Sequence, residues 1–294
     1  MMKENVCGKG YAEMKNVIAF MNMKGGVGKT TICVNLAAYL ANFAKKRVLV
    51  IDMDPQMNAS QYMLPPQKIQ EALENKQTLY ELYRDDVDMD LNSENILGDQ
   101  EEDPGENLIQ KNIRDNLDLI CGDLNMTKVK DDGTNSDTLC AYIERKRLRE
   151  KYDFIFIDCP PTQSVYTISA FKALDFYIVI IKPDYLSTIG LALFDRLVSN
   201  YNKNRNTPDK IKSLGIIANL TQKSTDNYHE QKIQQIEKRF KFSQRVFKSR
   251  IGNISAIAKA SEKQKFMHET RGSKKAIAKL GKEFLSVYEA EGEK

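Results

Sequence analysis

Residues Met23-Lys24-Gly25-Gly26-Val27-Gly28-Lys29-Thr30-Thr31 place three glycines, two lysines and two hydroxyls within one short stretch. That set of groups suits a polyphosphate. Gly25, Gly26 and Gly28 carry no side chain that would keep the backbone away from phosphate oxygens. Successive N–H groups, that of Val27 included, can turn inward as an anion nest. A helix starting near Lys29 adds the positive end of its dipole. Lys29 supplies a full charge for the β- and γ-phosphates, Thr30 a hydroxyl for Mg2+, and Thr31 a further phosphate contact. The stretch departs from G-x-x-x-x-G-K-[ST] at the first position, which is Met23, and an additional lysine, Lys24, follows it.

Such a loop needs a strand before it and a helix after it. Val17 to Met21 is an apolar run of strand length, and Ile32 to Phe43 has helical apolar spacing. Two further apolar runs end in carboxylates: Val48-Leu49-Val50-Ile51 leads into Asp52 and Asp54, and Phe154-Ile155-Phe156-Ile157 into Asp158. The carboxyl ends of strands are where α/β sheets hold ligands. Strands are expected at 16–22, 47–52, 117–121, 153–158, 176–181 and 213–219, with one more short strand beyond. Helices are expected at 29–43, 69–83, between 121 and Arg149, and at 188–201, 226–239, 254–268 and 274–290. This alternation predicts an α/β fold: a mostly parallel, twisted sheet flanked by helices on both faces. Residues 1–15 read as a short polar extension and 16–294 as a single domain with an insertion within 65–116.

The chain has 294 residues, of which 41% are hydrophobic and 29% charged, which excludes a disordered or fibrous class. No apolar run approaches the roughly 20 residues that span a bilayer, and the N-terminus does not resemble a secretory signal. Five cysteines without C-x-x-C spacing point to reduced thiols in the cytoplasm. The net charge of +4 conceals an asymmetry. Residues 85–106 hold ten acids and no Lys or Arg, and read as an exposed acidic loop. Residues 196–282 hold 21 Lys and Arg against six Asp and Glu. A basic half of that kind suits phosphate-rich partners.

The K-G-G-V-G-K-T-T loop resembles the deviant Walker A motif of the ParA/MinD ATPases. Asp52-Met53-Asp54-Pro55-Gln56-Met57-Asn58-Ala59-Ser60 looks like the D-x-D-P-Q-x-N-A-[ST] segment of ParA-type partition ATPases, and Asp158-Cys159-Pro160-Pro161 is similar to the family's Walker B strand end. The resemblance implies an ATP- and Mg2+-dependent ATPase working as a homodimer. Lys24 would reach across the dimer to the partner's ATP, Asp54 would position the attacking water, and Asp158 would hold Mg2+ through a water, beside the Thr30 hydroxyl and with support from Asp52. Asn219 resembles the asparagine that contacts adenine.

Non-specific duplex DNA and a centromere-binding, ParB-like adaptor are the implied partners, and a nucleoid-associated, cytoplasmic, bacterial-type setting is implied with them. Lys223, Lys248, Arg250, Lys259, Lys263 and Lys265 are the candidate DNA contacts; a position that is often basic in relatives is Ala256 here. Two alternatives are weaker. A MinD-like membrane-cycling regulator would need a basic amphipathic end, whereas this chain ends acidic, and no stable membrane association is expected. A cluster-bearing relative such as the nitrogenase iron protein would need suitably set cysteines.

Overall fold

The computed structural model describes residues 14–84, 107–129, 134–162, 164–204, 210–222, 227–240, 245–253 and 255–292. Eight strands form one sheet: β1 (Val17–Met21), β2 (Val48–Asp52), β3 (Ile109–Arg114), β4 (Leu117–Ile120), β5 (Phe154–Asp158), β6 (Phe176–Ile181), β7 (Lys212–Thr221) and β8 (Val246–Gly252). Their spatial order is β3-β4-β2-β5-β1-β6-β7-β8. Every pairing is parallel except β3 with β4. The helices are α1 (Lys29–Phe43), α2 (Asn58–Met63), α3 (Pro66–Glu74), α4 (Thr138–Arg145), α5 (Leu148–Lys151), α6 (Val165–Ala173), α7 (Tyr185–Asn204), α8 (Tyr228–Phe240), α9 (Ser255–Ser261) and α10 (Lys274–Gly292).

The central strands are apolar on both faces, as parallel strands covered by helices must be. Ile18, Phe20, Val50, Phe156, Ile178 and Ile180 point into one core, closed by α1, α2 and α10. Ala19, Met21, Ile51, Ile157, Val179 and Ile181 point into the other, closed by α4, α6, α7 and α8. Because β1 lies between β5 and β6, with β2 next to β5, the carboxyl ends of these strands converge on the loop that follows β1. Register pairs Phe20 with Asp158 and Asp52 with Asp158. Among the described residues no helix is long and apolar enough to cross a membrane.

The expected helix over 69–83 divides. Pro66 starts α3 at a position where its missing N–H costs nothing, the helix stops after Glu74, and Lys76 takes a left-handed φ of 54°. A short 3-10 turn, Leu79–Leu82, follows. The expected helix over 254–268 likewise ends at Ser261 and resumes only as the 3-10 turn Met267–Glu269. Three elements carried no sequence expectation: α2, β3 and α6. β3 is a partly exposed antiparallel edge with an irregular register against β4, so it lacks an apolar run. α6 is a short buried helix. The acidic stretch 85–106 lies outside the described residues.

Helix α1 is buried on almost every side, as a helix that is apolar all round requires. Its tightest neighbour is α10: a Cβ on Gly281 would stand 2.1 Å from Cδ1 of Tyr39. Gly281→Ala is therefore expected to cost about 1–3 kcal/mol by overpacking, seen as a lower urea midpoint with an unchanged slope.

Candidate active site

The loop between β1 and α1 has two glycines in the left-handed region, Gly26 at φ 72° and Gly28 at φ 84°, which a side chain would strain. Gly28 is further constrained because a Cβ there would lie 2.2 Å from Nδ2 of Asn219. That amide donates to the Val27 carbonyl at 2.8 Å. Asn219, buried on β7, thus holds the loop in place and also lines the cavity in front of it. At the loop's start, Asn22 donates to the Ile180 carbonyl at 2.6 Å and accepts from the Lys24 amide at 2.9 Å.

The cavity has a volume of about 1190 Å³, and Gly25, Gly26, Gly28, Lys29, Thr30, Thr31, Asp54 and Asn219 all face it. Lys29 is buried, and burial lowers its pKa, with Asp158 and Asp54 pulling the other way. The Thr30 hydroxyl donates to Oδ2 of Asp158 at 2.6 Å. The other Asp158 oxygen, Oδ1, is buried and has no hydrogen-bond partner among the described residues. Burial and then the neighbouring Asp52 charge push the Asp158 carboxyl up to about 8, against the Thr30 hydrogen bond and Lys29.

A hydroxyl beside a carboxylate with a spare buried acceptor fits Mg2+ carried largely by phosphates, which uses only one or two protein ligands. Among the described residues no three His, Cys, Asp or Glu side chains form a ligand cluster, so the protein's share of such a site would be small. Asp52, expected to support the metal, has its oxygens engaged otherwise. Oδ2 accepts from the Ser60 amide at 2.8 Å and hydroxyl at 2.7 Å, and Oδ1 from the Asp54 amide at 3.3 Å. Burial pushes Asp52 up to about 6 despite these bonds from Ser60. Asp54 is buried, and its Oδ1 accepts from the Gln56 amide at 2.9 Å.

Lys24 is not one of the residues lining the cavity. Its ammonium lies 2.7 Å from Asp184 Oδ2. Asp184 precedes α7 and also caps it, Oδ1 accepting from the Ser187 amide at 2.8 Å and the Ser187 hydroxyl at 2.9 Å. Burial alone would raise the Asp184 carboxyl; the hydrogen bonds from Lys24 and Ser187 outweigh it and hold the carboxyl below its ordinary value. Beyond Asp184, α7 exposes Tyr185, Leu186, Ile189 and Leu193.

The basic candidates lie on β8 and the segment that follows it. Lys248, Lys259, Lys263 and Lys265 are exposed. Arg250 is half-buried and turned toward α8, 3.8 Å from Glu230 and 3.5 Å from Glu237, with a further bond to the Phe247 carbonyl. Lys223 lies outside the described residues. Asn22, Ser60, Gly122 and Asp184 were not singled out from the sequence. Each acts through a partner distant in the chain, and the one available signal was Ser60, as the last residue of the D-x-D-P-Q-x-N-A-[ST] segment.

A family model described as an AAA domain matches residues 15–212. The sporulation initiation inhibitor protein Soj of Bacillus subtilis is 30% identical over 251 residues, covering 84% of this chain and 88% of that protein. The chromosome partitioning protein ParA of Myxococcus xanthus is 30% identical over 241 residues, covering 79% and 74%. Among solved structures, a putative plasmid partition protein of Borrelia burgdorferi bound to AMPPNP superposes with a TM-score of 0.67 at 24% identity, over 94% of this chain and 99% of that one. At that identity the superposition speaks for the fold.

Asp184 has two roles that substitution can separate. Asp184→Ala should cost about 1–2 kcal/mol in urea unfolding, through the lost cap and the partly exposed ion pair. Asp184→Asn keeps the capping acceptor and should recover about half of that.

Proposed function

The chain belongs to the ParA/Soj family of P-loop partition ATPases, and on that premise we propose a nucleotide-switched DNA partition cycle for it. In that cycle two ATP-loaded copies pair face to face, the pair binds duplex DNA without sequence preference, and a centromere-binding adaptor of the ParB kind stimulates hydrolysis. The observation that carries this reading is the division between the two loop lysines. Lys29 faces the cavity beside Thr30, Asp158 and Asp54, whereas Lys24 does not line it and is paired with Asp184.

Each residue then has a role. The backbone of Gly25 to Thr31 cradles the phosphates. Lys29 offsets charge at the β- and γ-phosphates. Thr30 and Asp158 hold Mg2+, which when bound neutralises phosphate charge. Asp54, at the cavity wall, orients the attacking water. Lys24 exchanges Asp184 for the ATP of the second copy, stabilising charge on the transferring phosphoryl group in the manner of an arginine finger. Asn219 holds the loop and, lining the cavity, is the candidate contact for the base. The apolar stripe on α7, next to Asp184, supports a protein partner at this face. Lys248, Lys259, Lys263 and Lys265 are the lysines best exposed for DNA phosphates, with Lys223 as a further candidate; Arg250 would have to leave Glu230 and Glu237 to join them.

Binding of random-sequence duplex DNA, measured with ATP, with ADP and without nucleotide across a salt series, tests the cycle. ATP-dependent binding that weakens steeply with salt is expected; its absence at low salt would remove DNA from the proposal. The trans role of Lys24 has its own test. Lys24→Ala and Asp54→Ala should each abolish most hydrolysis, and mixing the two variants should restore activity at one of the two sites. No recovery at any ratio would place Lys24 in cis.

A further inference from the structure

Residues 53 to 57 form a loop, and the segment from Asp54 to the first turn of α2 is held at both ends by one carboxylate. At the near end, Asp52 Oδ1 accepts from the Asp54 amide; at the far end, Oδ2 accepts from both the amide and the hydroxyl of Ser60, in the first turn of α2. Ser60 is fully buried, and its hydroxyl also accepts from the Gly122 amide at 3.0 Å, just beyond β4. Gly122 is pressed against the same loop: a Cβ there would lie 3.2 Å from Asp52 Cγ and 3.2 Å from the carbonyl oxygens of both Asp52 and Asp54. Inside the loop, Met57 adopts φ 56° and its amide donates to the Asp54 carbonyl at 2.8 Å. The backbone of Asp54 is therefore tied through its amide and its carbonyl and backed by the neighbouring strand end, while its side chain is left at the cavity wall.

We propose that Asp52, Ser60 and Gly122 form a brace that fixes Asp54 for hydrolysis, with Ser60 a positioning residue and Asp52 not a ligand of the metal. A serine hydroxyl can donate once and accept at the same time. Here it does both, joining the ends of β2 and β4 to α2. Removing it leaves the Gly122 N–H unpaired and Asp52 short of one donor, in a place water does not reach. A misplacement of about 1 Å in a group that aligns a nucleophile is enough to slow a reaction by orders of magnitude. This role rests on Asp54 being the water-positioning residue proposed above.

The test uses the full chain with ATP and Mg2+, reading kcat, the Mg2+ concentration for half-maximal rate, the affinity for a fluorescent ATP analogue and the melting temperature. Ser60→Ala should lower kcat about tenfold or more with nucleotide affinity changed less than about threefold, and Ser60→Thr should restore kcat. Gly122→Ala should show the same split between kcat and affinity, which covers the case in which Ser60→Ala fails to fold. Asp52→Asn should shift the Mg2+ half-saturation by less than about threefold. The Ser60→Ala/Asp54→Ala double variant should be no slower than Asp54→Ala, as expected of residues acting as one unit.

Wild-type kcat in Ser60→Ala or in Gly122→Ala, beside an inactive Asp54→Ala, would overturn the brace alone. A rise of about tenfold or more in the Mg2+ requirement of Asp52→Asn would return Asp52 to the metal. Wild-type hydrolysis by Asp54→Ala would instead remove the role assigned to Asp54, and the brace with it.

Discussion

Two carboxylates buried on adjacent strands are the constraint on which this site depends. Asp52 and Asp158 are register partners at the ends of β2 and β5, and both are fully buried. Buried charge is costly unless it is paired or hydrogen-bonded. The chain meets that cost differently at the two positions. Asp52 is surrounded by donors from its own connecting segment, two amides and a hydroxyl. Asp158 receives one hydroxyl from Thr30 and keeps a buried oxygen without a partner among the described residues. The first arrangement engages both carboxylate oxygens, and the second leaves one open, as the Mg2+ role proposed for Asp158 requires.

The loop after β1 is built around the same edge. Its two left-handed glycines and the Asn219 clasp on Val27 hold the backbone in its curve, and burial beside the carboxylates sets the environment of Lys29. Lys24 belongs to a different regime. Its partner Asp184 is partly exposed, and ion pairs of that kind contribute little net stability. A lysine held so lightly can change partners at small cost, as the exchange proposed for it requires.

That Lys29, Asp54 and Asp158 would meet at one edge of the sheet was legible from residue type and local spacing. A glycine-rich loop between an apolar run and a helical pattern, and carboxylates at the ends of apolar runs, are one-dimensional signals of a parallel α/β sheet. The uninterrupted apolar runs of β5 and β6 likewise announced strands covered on both faces. β3 escaped notice because an exposed antiparallel edge needs no apolar run. The breaks after Glu74 and Ser261 escaped because apolar residues continue at helical spacing past the point where the backbone turns.

What the sequence determined by itself was the chemistry on offer: a phosphate cradle, a second lysine, a set of carboxylates and a basic half. The tertiary structure decided how those groups are shared out. It put Lys24 on Asp184, 160 positions away in the chain, turned Arg250 toward the acids of α8, and gave Asp52 to Ser60 and Asp54. Of these pairings, that of Lys24 with Asp184 depends on the sheet order that sets β1 beside β6, whereas those of Asp52 and Arg250 depend on how the backbone turns between neighbouring elements. Strand order is set by long-range packing, which leaves no mark in local spacing.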